Sequence, residues 1–476
     1  MRTRALLPLL YSLPLVAVLL VAGSGSLSGP SAQPVALPPH QELLRAIYKE
    51  LVEINTTDSV GDNTRAAEAM AGHLLAAGFP AGDVQVLAPA PRKGNLVARL
   101  RGSGARKPLL LLAHLDVVEA RREDWSVDPF TLLERDGYFY GRGTGDDKAM
   151  AAIFVANLIR YKREGFVPDR DLIVALTADE EGGGHNGVRW LLANHRPLID
   201  AGLALNEGGG GAIKNGAYVS NSIQASEKIV QSFRLEVKNK GGHSSLPVKD
   251  NAIYRLADGL TRLAQADFPV KLDEVNRAFF EGTGALAGGP LGADMLAVAR
   301  GSRDPSVVAR VAAASPFFNA FMRTTCVATR LEAGHANNAL PQTATAVVNC
   351  RVLPDETRED AHRTLVAILG NDAITVTPIG PFFPSPPSPL TPELMRAVET
   401  VTRELWPGVP VVPIMGTGAT DSKYLRAAGI PAYGTSGLFG DVDDVRAHGR
   451  DERILVRSLY EGQDYLYRLV KLLSSP

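Results

Sequence analysis

The chain has 476 residues, 45% of them apolar and 21% charged, an ordinary globular composition in a length that one hydrophobic core seldom serves. Its 50 Lys and Arg nearly balance its 51 Asp and Glu. With no local basic run, that balance gives no footing for nucleic acid or another polyanionic partner.

Arg2 and Arg4 precede an apolar stretch over residues 5–22, followed by Gly23-Ser24-Gly25-Ser26 and a Pro/Ser/Ala-rich linker reaching about His40. This order predicts a secretory signal peptide and linker over residues 1–33, hence an exported protein, periplasmic or secreted. The alternative is a retained membrane anchor over residues 5–22, close to the ~20 residues a spanning helix needs. From 40 to 227 helical and strand patterns alternate: helices over 41–54, 63–77, 149–162 and 186–193, strands over 96–100, 109–113, 172–177 and 202–205. Such alternation predicts an α/β layer around a mostly parallel, buried sheet.

The pattern changes near Lys228. Residues 230–237 alternate like a half-exposed strand, 251–264 form an amphipathic helix, and 324–331 and 343–352 read as antiparallel strands. A helix over 356–369 and a strand over 374–377 follow. This predicts a smaller α+β lid or dimerisation domain, residues 228–380, inserted into the larger one. Its Gly/Ala-rich part, residues 273–319, is expected to be helical and to hold an acyl pocket. Pro381-Phe382-Phe383-Pro384 begins the return, and residues 381–476 complete the large domain. Cys326 and Cys350 are the only cysteines; a disulfide and two buried thiols are both open.

Acids and histidines gather just after the predicted strands. The run 109–113 leads into His114-Leu115-Asp116, and 172–177 into Asp179-Glu180-Glu181-Gly182. Residues 204–205 lead to Glu207-Gly208, and Gly141-Arg142-Gly143-Thr144-Gly145-Asp146-Asp147-Lys148 makes a glycine-rich turn before a helix. In open α/β sheets sites form beyond the carboxyl ends of strands, so this is the arrangement of a metal-binding floor. His448 supplies a late nitrogen ligand. A dinucleotide fingerprint is excluded by the glycine spacing.

This ordered set, with Gly241-Gly242-His243-Ser244, Asn338-Ala339-Leu340-Pro341, Arg351 and Gly416-Thr417-Gly418, resembles the aminoacylase/carboxypeptidase G/succinyl-diaminopimelate desuccinylase family of co-catalytic zinc metallopeptidases. The length of residues 273–319 is similar to its carboxypeptidase S-like branch. The resemblance implies two Zn2+ per subunit, with Co2+ or Mn2+ as substitutes. His114 and Glu207 would bind one ion, Glu181 and His448 the other, and Asp146 would bridge them. It implies Glu180 as general base and acid, Asp116 as the carboxylate steadying the His114 ring, and a cis peptide between Asp146 and Asp147. It further implies His243 as an oxyanion donor, often from a partner subunit, and Asn338, Arg351 and Gly418 as holders of a substrate carboxylate.

The implied reaction is hydrolysis of an amide next to a free α-carboxylate, by a carboxypeptidase-type exopeptidase acting on short peptides. An N-acyl-amino-acid amidohydrolase is the alternative. An aminopeptidase or dipeptidase and a catalytically silent binding relative stand further back. A homodimer is implied by the resemblance alone, and a membrane association only by retention of the N-terminal segment.

Overall fold

Four apolar runs form the centre of a ten-stranded mixed sheet in the computed structural model, which describes residues 36–475. The expected signal segment lies outside the described residues, and among those described no helix is long and apolar enough to cross a membrane. Leu172–Thr177, Leu109–His114, Leu203–Asn206 and Ala432–Gly434 lie side by side and parallel. Every residue of the first two is buried, because successive side chains point to opposite faces and helices cover both. Leu109 and Leu111 pack with the helices Pro39–Glu53, Lys148–Arg163 and Val456–Leu473. Leu110 and Leu112 pack on the other face with Val188, Leu191 and Leu425. Burying each such leucine stabilises the fold by roughly 1.5–3 kcal/mol.

The flanks turn antiparallel. Asn95–Leu100 runs against Leu172–Thr177, and Val84–Leu87 against Asn95–Leu100. At the far side Ala217–Glu227 pairs antiparallel with Ala432–Gly434 and Gly211–Lys214, and parallel with Val411–Gly416. The sheet is therefore parallel where the site forms and mixed beyond it.

Glu227 ends one strand and Ile229 begins another, in a separate antiparallel sheet of Thr325–Ala333, Thr343–Val352, Ile229–Lys238 and Ile374–Ile379. One face of this small sheet is covered by the helices Ala252–Gln265 and Arg358–Leu369; the other carries Val230, Ser232 and Arg234. Cys326 and Cys350 sit opposite each other in its register and are joined by a disulfide, which settles the open choice between bond and thiols. The Gly/Ala-rich segment is helical as expected, in Glu274–Ala287, Gly289–Ala299, Pro305–Ala314 and Pro316–Met322. Its core, with Phe279, Phe280 and Met295, packs on Val412 and Met415 of the large sheet. Pro39–Pro476 form one compact unit.

Candidate metal centre and active site

Because Leu109–His114, Leu172–Thr177 and Leu203–Asn206 are parallel, their carboxyl ends open on one side, delivering His114, Glu180, Glu181 and Glu207 together. The glycine-rich turn adds Asp146, and the loop after Phe439–Asp441 adds His448. His114, Asp146 and Glu207 form one group whose ligand atoms lie within 4.8 Å of one another, and Asp146, Glu181 and His448 form another. Asp146 belongs to both. Its Oδ1 is 2.9 Å from His114 Nε2 and its Oδ2 is 3.1 Å from His448 Nε2. Glu181 Oε1 lies 2.7 Å from His448 Nε2, and Glu207 Oε1 lies 4.0 Å from His114 Nε2. The structure thus brings all five expected ligands together, and the Asp146–Asp147 peptide is cis, as the resemblance implies.

The electrostatics are those of a cation site. Burial, then repulsion from Asp146 after the counteracting His114, pushes the Glu207 carboxyl well above its ordinary range. Burial and Asp146 raise Glu181 likewise. Burial works against the charge of Asp146, but hydrogen bonds from His114 and His448 hold its carboxyl low. The His448 imidazole is raised to about 9, chiefly by its hydrogen bond to Asp146. Carboxylates and imidazoles this crowded, with no lysine or arginine among them, fit divalent ions with nitrogen and oxygen ligands.

Glu180 sits beside this floor, lining a cleft with His185, Arg189 and Tyr424. Burial, then the neighbouring Asp421, pushes its carboxyl up to about 8. Asp179, just before it, adopts φ 61°, a left-handed conformation that short acidic side chains tolerate. It is held there by Lys93 Nζ at 2.6 Å and by the backbone N–H of His185 at 3.0 Å. That sharp bend lets the adjacent Glu180 and Glu181 diverge.

Asp116 departs from expectation. Its carboxylate does not hold the His114 ring: Nδ1 donates instead to the Asp116 backbone carbonyl at 2.9 Å, with the nearest carboxylate oxygen at 3.7 Å. The strand ends at His114, so the two-residue alternation no longer aims both side chains one way. The Asp116 carboxylate accepts instead the backbone N–H groups of Glu180 at 3.0 Å and Glu181 at 2.9 Å, fixing the turn that carries base and ligand.

Glu452, which sequence reasoning missed, does the same for Asp146. One carboxylate oxygen accepts from Gly145 N at 2.9 Å and Asp146 N at 3.3 Å; the other accepts from Arg142 Nη1 at 2.6 Å and Gly143 N at 3.2 Å. Gly143 must be glycine: its φ is 81°, and a Cβ would come within 2.8 Å of Val117. The only signal in the sequence was an acid four residues after His448.

The remaining expected residues fall elsewhere. Arg351 is directly across from Val230 and Thr325 in the small sheet, half-buried and in no ion pair among the described residues. Gly418 is exposed in the loop after Val411–Gly416. That loop is tied to the start of the small sheet: Thr420 N–H and hydroxyl donate to Glu227 at 3.0 and 2.9 Å, and Lys228 N–H donates to the Gly416 carbonyl at 2.9 Å. His243 and Asn338 are brought to each other, with Ser244 N donating to the Asn338 carbonyl at 3.0 Å. Both are exposed, and no hydrogen bond or ion pair links either to the metal ligands among the described residues.

A profile of peptidase family M20/M25/M40 matches residues 110–472. The chain belongs to this family. It is 31% identical over 357 residues to the N-fatty-acyl-amino acid synthase/hydrolase PM20D1 of Xenopus tropicalis, covering 73% of this chain and 69% of the relative. It is 29% identical to the probable carboxypeptidase S-like 2 of Dictyostelium discoideum, over 77% of this chain and 71% of the relative. Its fold is similar to that of the M20 family metallo-carboxypeptidase Sso-CP2 from Sulfolobus solfataricus, with TM-score 0.64, 17% identity and coverage of 90% and 99%. M20 membership and the ligand groups make this chain an enzyme of the metallopeptidase and amidohydrolase class.

Proposed function

We propose that the chain uses two divalent metal ions, zinc by ligand type, to hydrolyse an amide whose amine half carries a free α-carboxylate. The observation that carries this reading is the two-group ligand cluster beside Glu180; Arg351, half-buried on the uncovered face of the small sheet and in no ion pair among the described residues, offers a guanidinium for the substrate carboxylate. Ions at His114/Asp146/Glu207 and Asp146/Glu181/His448 would polarise the scissile carbonyl and acidify the attacking water. Glu180 would accept the water's proton and deliver it to the departing nitrogen. Asp116 and Glu452 keep the ligand turns in register, and Arg351 would fix the substrate carboxylate through paired hydrogen bonds.

Both acyl halves remain in the proposal: a peptide, cut by a carboxypeptidase-type exopeptidase, and an acyl group, cut from an N-acyl amino acid. The name of the Xenopus relative, at 31% identity, favours the second. His243 and Asn338 would act after the small sheet closes on the floor or from a partner subunit. The exposed Val327 and Leu331 of the edge strand Thr325–Ala333 support a homodimer through that sheet. Export is supported by the basic and apolar N-terminus and by a disulfide, which oxidising compartments sustain.

Arg351→Met tests the reading. It is expected to lower kcat/KM for a free-carboxylate substrate about 100-fold while leaving the carboxamide analogue unchanged. Equal loss on both substrates would count against the clamp.

A further inference from the structure

His448 is the least sheltered of the five ligands, with its side chain 53% exposed against 2% for His114. Its φ is 61°, a left-handed conformation that a residue with a Cβ keeps only where its surroundings enforce it. No residue from 441 to 451 is buried, and Val442 and Val445 face solvent, so apolar packing does not hold this loop. Polar ties do. Gly449 N donates to the Arg446 carbonyl at 2.9 Å, closing a turn with His448 inside it. At one end of the turn Arg142 Nη2 donates to the Gly449 carbonyl at 2.9 Å. At the other end the Asp444 carboxylate is divided between two guanidiniums. Its Oδ1 accepts from Arg446 Nε at 2.6 Å, and its Oδ2 from Arg453 Nε at 2.8 Å and Nη2 at 2.7 Å.

Arg453 is itself fixed. It lies in the strand Arg453–Leu455, which pairs with Tyr138–Tyr140. Its guanidinium stands over the Tyr138 ring, 4.0 Å from the centroid, and its Nη1 donates to the Tyr140 hydroxyl. Asp444 thus joins Arg446, the first residue of the His448 turn, to a held strand. The Asp444, Arg446 and Arg453 side chains are 24%, 33% and 18% exposed, so this is a partly buried network of three charges, unlike the exposed single pairs that contribute little. We propose that Asp444 is a positioning residue for His448. Through it, Asp444 sets the affinity of the ion held by Asp146, Glu181 and His448, and leaves the ion held by His114, Asp146 and Glu207 alone. The inference rests on the two-metal reading above. Glu452 differs in kind, because its hydrogen bonds hold the turn of Asp146, which both ions share. An amide in place of the Asp444 carboxylate leaves two guanidiniums facing each other with no counter-charge, since neither has another ion-pair partner among the described residues. Arg446 is then released, and the His448 turn with it.

The test is zinc titration of the chelator-stripped protein. Calorimetry against a competing chelator reads the affinities, and native mass spectrometry counts the one-ion and two-ion species. Wild type is expected to take up two ions. Asp444→Asn is expected to bind the first with native affinity and the second about tenfold more weakly, so that the one-ion species persists over a wider range of zinc. Arg446→Met, at a partly exposed loop position, is expected to do the same, and it carries the test if Asp444→Asn does not fold. In His448→Ala there is no ligand left to position, so adding Asp444→Asn should lower the remaining affinity no further. Equal weakening of both ions, native affinity for both in the two variants, or a further loss on the His448→Ala background would overturn the assignment while leaving the two-metal reading in place. Wild type that binds fewer than two ions would sink that reading and the role of Asp444 together.

Discussion

Replacing Glu452 by glutamine keeps the side chain's shape and removes its charge. In the native site both carboxylate oxygens accept, four donors in all counting Arg142 and the amides of Gly143, Gly145 and Asp146. Glutamine offers one oxygen, so its NH2 group must face two donors. The Arg142 guanidinium, buried at 3% side-chain exposure against 2% for Glu452, loses its counter-charge as well. Removing one partner of such a buried pair costs about 3–5 kcal/mol. The strain falls on the turn that presents Asp146 to both ligand groups. If most of it appears in metal affinity, binding weakens by about two to four powers of ten. Metal titration followed by calorimetry and by native mass spectrometry, with amine release alongside, measures this. Glu452→Gln binding two ions with native affinity and full turnover would refute the reasoning, and the carboxylate would then be a fold-stabilising group only.

Three further outcomes are expected. Asp116→Asn can satisfy only one of the Glu180 and Glu181 amides, leaving a buried donor at about 1–3 kcal/mol; kcat/KM should fall about ten- to hundredfold, and an unchanged value would return Asp116 to a passive role. In chelator-stripped protein at neutral pH His448, raised to about 9, carries a proton. Metal loading must expel it, so affinity should rise with pH and at least about one proton should be released, read by calorimetry in buffers of different ionisation enthalpy; no release would contradict the ligand assignment. Burial lowers Lys228 from 10.5 to about 7. Below pH 7 the burial penalty is fully present; between about 7 and 10.5 the folded state has shed a proton that the unfolded chain keeps, so stability rises with pH. Denaturant unfolding should show wild type gaining on Lys228→Met across that window, and parallel curves would show that Lys228 keeps its proton when folded.

Local features carried the part of the site that sequence could reveal. His114, Glu180, Glu181 and Glu207 each follow a strand whose apolar run announces it, and the parallel order of those strands was enough to gather them. Glu452 was invisible because its partners Gly145 and Asp146 lie about 306 residues away, joined through Arg453–Leu455 pairing with Tyr138–Tyr140. Lys93 and Asp179 are likewise 86 residues apart. Asp116 was misassigned because the alternation rule was carried one step past the strand's end. The short strands Val84–Leu87 and Gly211–Lys214, the second amid glycines, lack the apolar run that marks a buried strand. The helices of residues 273–319 were readable as helices, but their seat on Val412 and Met415 depends on packing that no local pattern encodes.

The most direct measurement is amine release from an N-acyl amino acid and from its carboxamide, by metal-loaded and by chelated protein. Rapid, chelator-sensitive release confined to the free carboxylate is expected from the metal floor, Glu180 and Arg351 acting together. Release from both substrates at equal rates, or release that survives metal removal, would contradict it.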